Sequence, residues 1–508
     1  MRVTAGSLGG TVFVAGIASL ATEIAAARLV APYFGSSNVV WANVIGLMLV
    51  FLALGYWLGG KLADARPQVT LLAGILLASA VSLMVVPFAA RPLLHASLRG
   101  FDSLSAGIVI GSFVAVLTLF VVPVVLMGAV APFALRLALP SVAESGQTAG
   151  RLYALSTAGS IVGTFAAALV AIPLIGTQRT LLACAGLLGL AAAPLAPRAA
   201  LAVVALAAGL AALPSGGIKR TAGVIWEDES AYQYVRVLQY SDGSRALELN
   251  EGIAQQSVWY PHTVLTGGYW DLFDVMPDLL GRPASSALVL GDAGGTIPRA
   301  YARFFPQLRV DGVELDPTVT DAARRFLGLG AIRTLRTFTD DARVFLERST
   351  RRYDLVIVDA YRQPYIPFQL ATKEFFELVR RHLTPGGLVA LNVASTPRDH
   401  GLTRGVGATL AAVFPQVWRW RALRFSDLVF ALDRPQPRAA LVARSASVPR
   451  QLQPLVPLFA RELAHVAPGG TPWTDDRAPV EWVTDRMLAE QVARGEGLDE
   501  RYLPTAPP

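Results

Sequence analysis

Long apolar segments follow one another through the first part of the chain, with only short polar breaks between them. A helix needs about 17 to 25 mostly apolar residues to cross the hydrocarbon core of a bilayer. The pattern therefore predicts a transmembrane helical domain over residues 1–215 with about seven spans. The expected spans are 8–33, 39–60, 70–90, 103–135, 150–175, 178–196 and 198–214.

The first of these segments carries two charged residues, Glu23 and Arg28. We do not expect it to be a removable signal peptide, because it is long and charged and further apolar segments follow it. A charged side chain within a span is costly and usually faces a partner or a wet cavity. Glu23 and Arg28 are therefore candidate membrane-embedded functional residues, although a position near the interfacial end of the span would explain them equally well.

The fourth segment contains the helix-disfavouring residues Pro123, Gly128 and Pro132. Proline removes a backbone donor, and non-helical backbone at membrane depth occurs where it lines a cavity. We therefore expect a broken or re-entrant helix in this segment.

After residue 222 the pattern changes to short strands and polar turns. Strands separated by tight turns predict a small β-meander over residues 223–262. Strands and helices then alternate over residues 263–433, which predicts a Rossmann-like, methyltransferase-type α/β domain with a mostly parallel sheet. Residues 434–508 are interpreted as a C-terminal tail. The expected strands are 232–240, 245–249 and 253–258 in the meander, and 287–290, 309–313, 335–339, 355–358 and 388–393 in the α/β domain.

Composition supports this division and excludes some functions. The chain is 53% hydrophobic and 16% charged, which is too apolar for one water-soluble globule. Its net charge of +7 comes almost wholly from arginines that alternate with acids, as at 340–343, so we expect no nucleic-acid partner. A single cysteine, Cys184, and five scattered histidines offer no metal-ligand spacing, so no metal is expected.

A glycine-rich turn follows the first strand of the predicted α/β domain. It contains Gly291, Asp292, Gly294 and Gly295 and precedes a predicted helix. Small residues allow backbone amides to approach a ligand at a helix N-terminus. The turn is therefore a candidate nucleotide-binding element.

Acidic residues follow the next three strands. Glu314 ends the second strand, about twenty residues after the turn, where a carboxylate can accept hydrogen bonds from both ribose hydroxyls. Asp341 follows the third strand and could accept from an adenine amino group, and Asp359 follows the fourth. Because the carboxyl ends of parallel strands meet at one edge of a sheet, these acids predict a nucleoside site with Asp359 in its cleft.

These residues resemble the motifs of spermidine synthases, the polyamine aminopropyltransferases. The whole chain is similar to bacterial membrane proteins in which such a domain follows a multi-span segment. The resemblance covers about residues 230–395 of the soluble part. It rests on Glu251-Gly252-Ile253-Ala254-Gln255, on residues 291–296, 313–316, 341–343, 353–359 and 384–387, and on 126–128 and 150–154 of the membrane part.

The resemblance implies a co-substrate, decarboxylated S-adenosylmethionine, whose nucleoside Glu314 and Asp341 hold and which Gln255 contacts. In that family an amine displaces the aminopropyl group, and aspartates bind the polyamine and remove a proton from the attacking nitrogen. An ammonium has no lone pair, so a base is required. The candidates for this base are Asp359, Tyr361 and His262.

Three departures from the family pattern concern the amine site. Ala293 stands where the glycine-rich turn of the family has its acid, with Asp292 beside it. Arg362 replaces the second catalytic acid, and its fixed charge should repel a polyamine. The Tyr-His-Glu of the family has its nearest counterpart at Tyr260-Pro261-His262. The residues of the nucleotide site therefore match the family pattern better than those of the amine site do.

Three functions remain open. The chain could be a membrane-bound aminopropyltransferase with another amine acceptor, or a transferase that moves a methyl or other group from S-adenosylmethionine to a membrane-associated acceptor, with Arg362 holding an anion. It could also be a transporter whose soluble domain senses a nucleoside or polyamine, as Glu23, Arg28 and the fourth segment suggest. The expected partners are the lipid bilayer, a small-molecule acceptor and a second copy in a homo-oligomer.

The chain is expected to be a multi-pass protein of the cell membrane. Basic residues are almost evenly divided between the two sets of loops, so the positive-inside rule does not orient it. A nucleotide made in the cytosol favours a cytoplasmic soluble domain.

Overall fold

The structure, a computed structural model, describes residues 5–35, 38–99, 104–139, 145–213, 222–250, 254–361, 365–466, 469–494 and 502–507. The chain forms two compact units. The first comprises Met1–Ala222 together with Glu227–Tyr234, and the second comprises Gly223–Trp226 together with Val235–Pro508.

The first unit is built mainly from long apolar helices. Within the described residues, five helical stretches are long and apolar enough to cross a membrane, and Pro197–Ala212 is a shorter apolar helix. The prediction of about seven spans is corrected accordingly, because the segments expected at 150–175 and 178–196 lie within one stretch, Ser145–Ala192. The helices are α1 (Ala5–Phe34), α2 (Asn38–Ala65), α3 (Val69–Arg99), α4 (Leu104–Ala138), α5 (Ser145–Ala166), a π-helical turn (Ala167–Ala171), α6 (Ile172–Ala192) and α7 (Pro197–Ala212).

Helix α4 is continuous, so the prediction of a broken or re-entrant fourth segment is wrong. Pro123 and Pro132 both lie inside the helix. Neighbouring helices shelter the positions that proline weakens, and the Ser79 hydroxyl donates to the Pro123 carbonyl oxygen at 2.9 Å. Gly128 packs against α2, where an added Cβ atom would lie 2.8 Å from the Leu52 carbonyl oxygen.

The break occurs instead in α6, at Gly176. Its backbone has φ +78° and ψ 164°, a conformation that glycine adopts readily. Beyond the break, the Thr177 amide donates to Glu229 Oε2 at 2.9 Å, and the Thr177 hydroxyl donates to the other carboxylate oxygen. A helix start offers unpaired amides, so the carboxylate stabilises the resumed helix. In α1, Arg28 donates to the Ala231 carbonyl oxygen.

The β-meander is confirmed and has one more strand than predicted. Its strand order is β1-β2-β3-β4, and β3 pairs antiparallel with both β2 and β4. The additional strand is the first, which the sequence pattern did not indicate. The strands are β1 (Val224–Glu229), β2 (Tyr234–Gln239), β3 (Arg245–Leu249) and β4 (Gln255–Trp259).

A larger, eight-stranded sheet forms the body of the second unit. Its strands are β5 (Ser286–Leu290), β6 (Arg309–Glu314), β7 (Leu335–Thr339), β8 (Tyr353–Val358), β9 (Leu383–Ala394), β10 (Gln416–Trp420), β11 (Ser426–Leu432) and β12 (Leu463–His465). The helices of this unit are α8 (Trp270–Phe273), α9 (Met276–Leu279), α10 (Thr296–Phe304), α11 (Pro317–Phe326), α12 (Ala342–Arg348), α13 (Lys373–Arg381), α14 (Gly401–Ala411), α15 (Arg438–Ser445), α16 (Val456–Glu462) and α17 (Val480–Ala493).

The topology of this sheet determines where a ligand can bind. The strand order is β12-β10-β11-β9-β8-β5-β6-β7, with β5 to β9 parallel and the remaining pairs antiparallel. This confirms the predicted Rossmann-like, methyltransferase-type fold. From β5 the chain continues to β6 and β7, which lie on one side of β5 in the sheet, and then to β8, which lies on the other side of β5. Such a switch point opens a crevice at the carboxyl ends of the strands.

The residues expected to form a C-terminal tail are part of this fold. Strand β12 pairs with β10 at one edge of the sheet. Trp473, Val480 and Val483 belong to the apolar core on the face of the sheet that also contains Phe375. The segment after residue 434 therefore contributes both to the sheet and to its core.

Candidate active site

The glycine-rich turn lies against the end of β8. Gly291 has φ +87°, and its amide donates to the Val313 carbonyl oxygen at 2.9 Å. The Asp359 amide donates to the Leu290 carbonyl oxygen at 2.8 Å. An added Cβ atom at position 291 would lie 2.5 Å from Ala360 Cα. Only glycine fits here, and it brings the turn to the strand end that carries Asp359.

The rest of the turn leads into α10. Ala293 has φ +44°, and the Gly294 amide donates to Ser257 Oγ at 2.7 Å. Gly295, with φ +73°, precedes the first residue of α10, Thr296. The turn therefore has the tight backbone and the helix N-terminus that a nucleotide-binding element requires.

The Asp292 side chain of the turn points into the protein interior. It is buried, and an added Cβ atom at Gly312, within β6, would lie 2.6 Å from Asp292 Oδ2. Burial, together with the Glu314 carboxylate and against the opposing effect of Arg299, raises the pKa of Asp292 to about 8. The carboxyl therefore lies in the interior beside β6, and the ligand-binding role predicted for Asp292 stays a prediction.

Glu314 ends β6 with both carboxylate oxygens facing backbone amides. The Ala293 amide donates to Oε2 and the Asp316 amide donates to Oε1, each at 3.0 Å. Burial raises the pKa of Glu314 to about 7, although these two hydrogen bonds oppose the rise. Each oxygen can accept a further bond. The acid predicted for the ribose therefore lies directly against the glycine-rich turn.

Asp341 caps the start of α12. Its Oδ1 accepts from the amides of Arg343 at 2.9 Å and Val344 at 3.1 Å. The Arg343 guanidinium in turn makes two hydrogen bonds to Asp475, at 2.7 and 2.6 Å. Asp475 thus connects the C-terminal segment to the helix that Asp341 caps.

Asp359 and Tyr361 come together at the end of β8, with a third residue, Tyr269. The Tyr269 hydroxyl donates to Asp359 Oδ2 at 3.2 Å, whereas Asp359 Oδ1 is buried and has no partner among the described residues. Burial raises the pKa of Asp359 well above its usual range, although the nearby Tyr269 and Trp270 side chains oppose the rise. Tyr361 donates to the Asn392 carbonyl oxygen, and burial and the nearby Asp359 raise its pKa.

Other predicted site residues lie further from this group or outside the described structure. Gln255 begins β4 and donates through Nε2 to the Tyr240 hydroxyl at 3.0 Å. His262 is exposed in the loop after β4, and no contact joins it to Asp359 among the described residues. Arg362 lies outside the described residues, as do residues 251–253 of the resembling segment. Within the described residues, no group of three or more His, Cys, Asp or Glu side chains could hold a metal.

The segment that carries Tyr269 was not singled out from the sequence. Asp271 accepts from the Thr266 hydroxyl at 2.8 Å and the Gly267 amide at 2.9 Å, and from the Thr505 hydroxyl at 2.6 Å. These bonds hold the loop that leads into Tyr269. The available signal was an acid within the otherwise apolar and aromatic run that forms α8.

Comparison with known proteins matches this geometry to a family. Residues 276–421, which contain the glycine-rich turn, Glu314, Asp341 and Asp359, match the Spermine/spermidine synthase domain. A relative in Bifidobacterium longum, named "Probable polyamine aminopropyl transferase", is 36% identical over 190 residues, which are 37% of this chain and 42% of that protein. Part of the second unit, residues 276–421, is therefore similar to that family's domain.

Two further proteins are similar to this family domain. A polyamine aminopropyltransferase of Vibrio vulnificus is 28% identical over 215 residues, covering 39% of this chain and 67% of that protein. The crystal structure of a probable spermidine synthase from Corynebacterium glutamicum is 20% identical, has a TM-score of 0.38, and is matched over 50% of this chain and 98% of that one. The chain thus spans less than half of the Bifidobacterium relative and about two thirds of the Vibrio relative.

Proposed function

We propose that the second unit transfers the aminopropyl group of decarboxylated S-adenosylmethionine to an amine. One observation carries this proposal. Asp359 lies at the β5–β8 switch point, beside the glycine-rich turn, with a buried oxygen to which no described residue donates a hydrogen bond. An attacking ammonium must lose a proton before it can form a bond, and a carboxylate at this place can accept it.

The nucleoside of the co-substrate is assigned to the strand ends next to Asp359. Glu314 can accept hydroxyl donors beyond its two amide bonds, and Oδ2 of Asp341 takes no part in capping α12. Gly291 and Gly295 give the turn the close backbone that a nucleoside needs. The residues present therefore fit such a group, and each of them orients it towards Asp359.

Among the three candidate bases, Asp359 is the best suited. Its carboxylate lies at the switch point of the sheet, and burial raises its pKa, which makes it a stronger base than an exposed aspartate. The Tyr361 hydroxyl is held by a backbone carbonyl and resists ionisation, so Tyr361 serves as a wall of the cleft. His262 is exposed and has no assigned role in proton transfer.

We also propose that the first unit anchors the enzyme in a bilayer. Its five long apolar helices are compatible with a membrane-spanning region. The soluble unit is assigned to the cytoplasmic side, because its nucleotide substrate is made there. The transporter hypothesis loses one of its supports, since α4 is unbroken.

Turnover by the purified full chain tests the reaction. Decarboxylated S-adenosylmethionine and a panel of amines should yield methylthioadenosine, and Asp359→Asn should lower this rate by about 100-fold or more. Asp321→Asn, which changes an exposed carboxylate on α11, is the matched control and should keep the rate. Release of S-adenosylhomocysteine from S-adenosylmethionine would instead establish methyl transfer, and consumption of neither nucleotide would reject a transferase.

A further inference from the structure

Asn392 lies beside Asp359 at the edge of the sheet where the cleft opens. Strands β8 and β9 are parallel, and Val358 pairs with Leu391. Asp359 and Asn392 are the next residues along the chain after this pair, so they lie side by side. Side chains alternate across a strand. The residues two positions earlier in each strand belong to the apolar core that contains Trp270, so Asp359 and Asn392 both project on that face.

Both side chains carry a buried oxygen without a donor. Among the described residues, nothing donates to Asp359 Oδ1 or to Asn392 Oδ1, and Asn392 is only 7% exposed. The two adjacent hydroxyls are already committed, since Tyr269 donates to Asp359 Oδ2 and Tyr361 to the Asn392 backbone oxygen. Buried polar atoms nearly always have a partner, so two open acceptors side by side at a cleft indicate a ligand that donates.

We infer that Asn392 positions the acceptor substrate, and that this acceptor is an amine with a single positive charge and at least two N–H bonds. The inference rests on the proposed function and specifies its second substrate. One N–H is directed to Asp359 and the other to Asn392. Because Asn392 is neutral, the pair complements one cation. A tertiary amine cannot satisfy both oxygens.

The chemical step follows from this placement. The ammonium gives one proton to Asp359, and the nitrogen keeps an N–H bond to Asn392 while its lone pair forms the bond to the aminopropyl carbon. The bond between that carbon and sulfur breaks, and its electron pair remains on sulfur. The positive charge lost by sulfur appears on the alkylated nitrogen, so atoms and charge balance.

Variants at position 392 test this inference with n-butylamine as the acceptor. Asn392→Leu keeps the size of the side chain but removes the oxygen, and it should lower kcat/KM for n-butylamine by about 10- to 100-fold without changing KM for the nucleotide. Ser395→Ala is the matched control, because Ser395 is equally buried and its hydroxyl also has no partner among the described residues. It should leave both constants unchanged.

A second variant adds a charge instead of removing a contact. Asn392→Asp places another carboxylate beside Asp359 and should shift the preference from n-butylamine towards 1,4-diaminobutane. The unchanged protein should prefer n-butylamine. A preference of the unchanged protein for the diamine, or an Asn392→Leu variant that behaves like Ser395→Ala, would overturn the inference.

Calorimetric titration separates this inference from the proposed reaction. With methylthioadenosine present, n-butylammonium should bind the unchanged protein and should bind Asn392→Leu at least tenfold more weakly. If that difference appears but no amine is ever alkylated, the amine site stands and the reaction is rejected. If turnover occurs with no dependence on position 392, the reaction stands and this site is rejected.

Discussion

Replacement of Gly291 by alanine should damage the cleft far more than the fold. The backbone at this position has φ +87°, and an L-residue in such a conformation costs roughly 1–2 kcal/mol. The larger effect is steric. The new Cβ atom would lie 2.5 Å from Ala360 Cα and 2.6 Å from the Asp359 carbonyl oxygen, whereas ordinary contact begins at 3.4 Å. Because these are backbone atoms, no side chain can rotate away.

The end of β8 must therefore move by about 0.9 Å, which is the difference between 3.4 and 2.5 Å. A displacement of about 1 Å in a catalytic group costs on the order of 100-fold in rate. We expect Gly291→Ala to lower kcat/KM for methylthioadenosine release by about 100-fold, with the thermal unfolding midpoint falling by only a few degrees.

The assay compares Gly291→Ala with Gly330→Ala, since a Cβ atom at position 330 would meet nothing within 4 Å. Both variants are measured for turnover and, by circular dichroism, for thermal unfolding. A Gly291→Ala protein that retains a third or more of the normal kcat/KM would refute the reasoning that the turn sets the position of Asp359. Loss of activity in both variants would likewise count against it.

Two further predictions concern ionisable groups. Tyr269→Phe removes a hydrogen bond to ionised Asp359, so the pKa of Asp359 should rise further. The rising limb of the plot of kcat/KM against pH should therefore move to higher pH. Tyr502→Phe changes an exposed tyrosine and should leave this plot unchanged. Burial alone would raise the pKa of Asp354, but hydrogen bonds from Arg282, Ser285 and Thr384 outweigh it and hold the pKa well below its usual range. Asp354→Asn should therefore destabilise the second unit by about 3 kcal/mol at neutral pH. Since the folded pKa is depressed, this contribution is full above the unfolded value of about 3.9 and is lost as the pH falls through the folded pKa, so thermal unfolding of the variant and the parent should converge in strong acid.

The parallel strands could be predicted because the glycine and acidic residues at their ends marked the same boundaries as their hydrophobic pattern. Each of β5, β6, β7 and β8 is a short run followed by a glycine turn or an acid, and the predicted and observed bounds differ by two residues at most. The positions of Glu314 and Asp341 at the strand ends could be predicted for the same reason. Strand β12 was missed because its three residues, Leu463–His465, are too few to show a period.

Other features depend on tertiary contacts that no local pattern contains. The prolines of α4 predicted a break, but the helix continues through both of them and packs closely on α2 at Gly128. Tyr269 lies in an aromatic run that reads as core, and only its approach to Asp359, 90 positions later, gives it a role. His262 was chosen because Tyr260-Pro261-His262 is the nearest counterpart of the family's Tyr-His-Glu, and the loop leaves it in solvent.

The hydrogen bond between Thr505 and Asp271 also limits how early during synthesis the loop that carries Tyr269 can be stabilised. The two residues are 234 positions apart, and Leu503 pairs with Gly267 in the same region. At a synthesis rate of about 5–20 residues per second, roughly 10–50 s separate the translation of Asp271 from that of its last partner. During that interval the loop that carries Tyr269 lacks its final support. The cleft can therefore mature only after residue 505 has been translated, well after the apolar helices have left the ribosome.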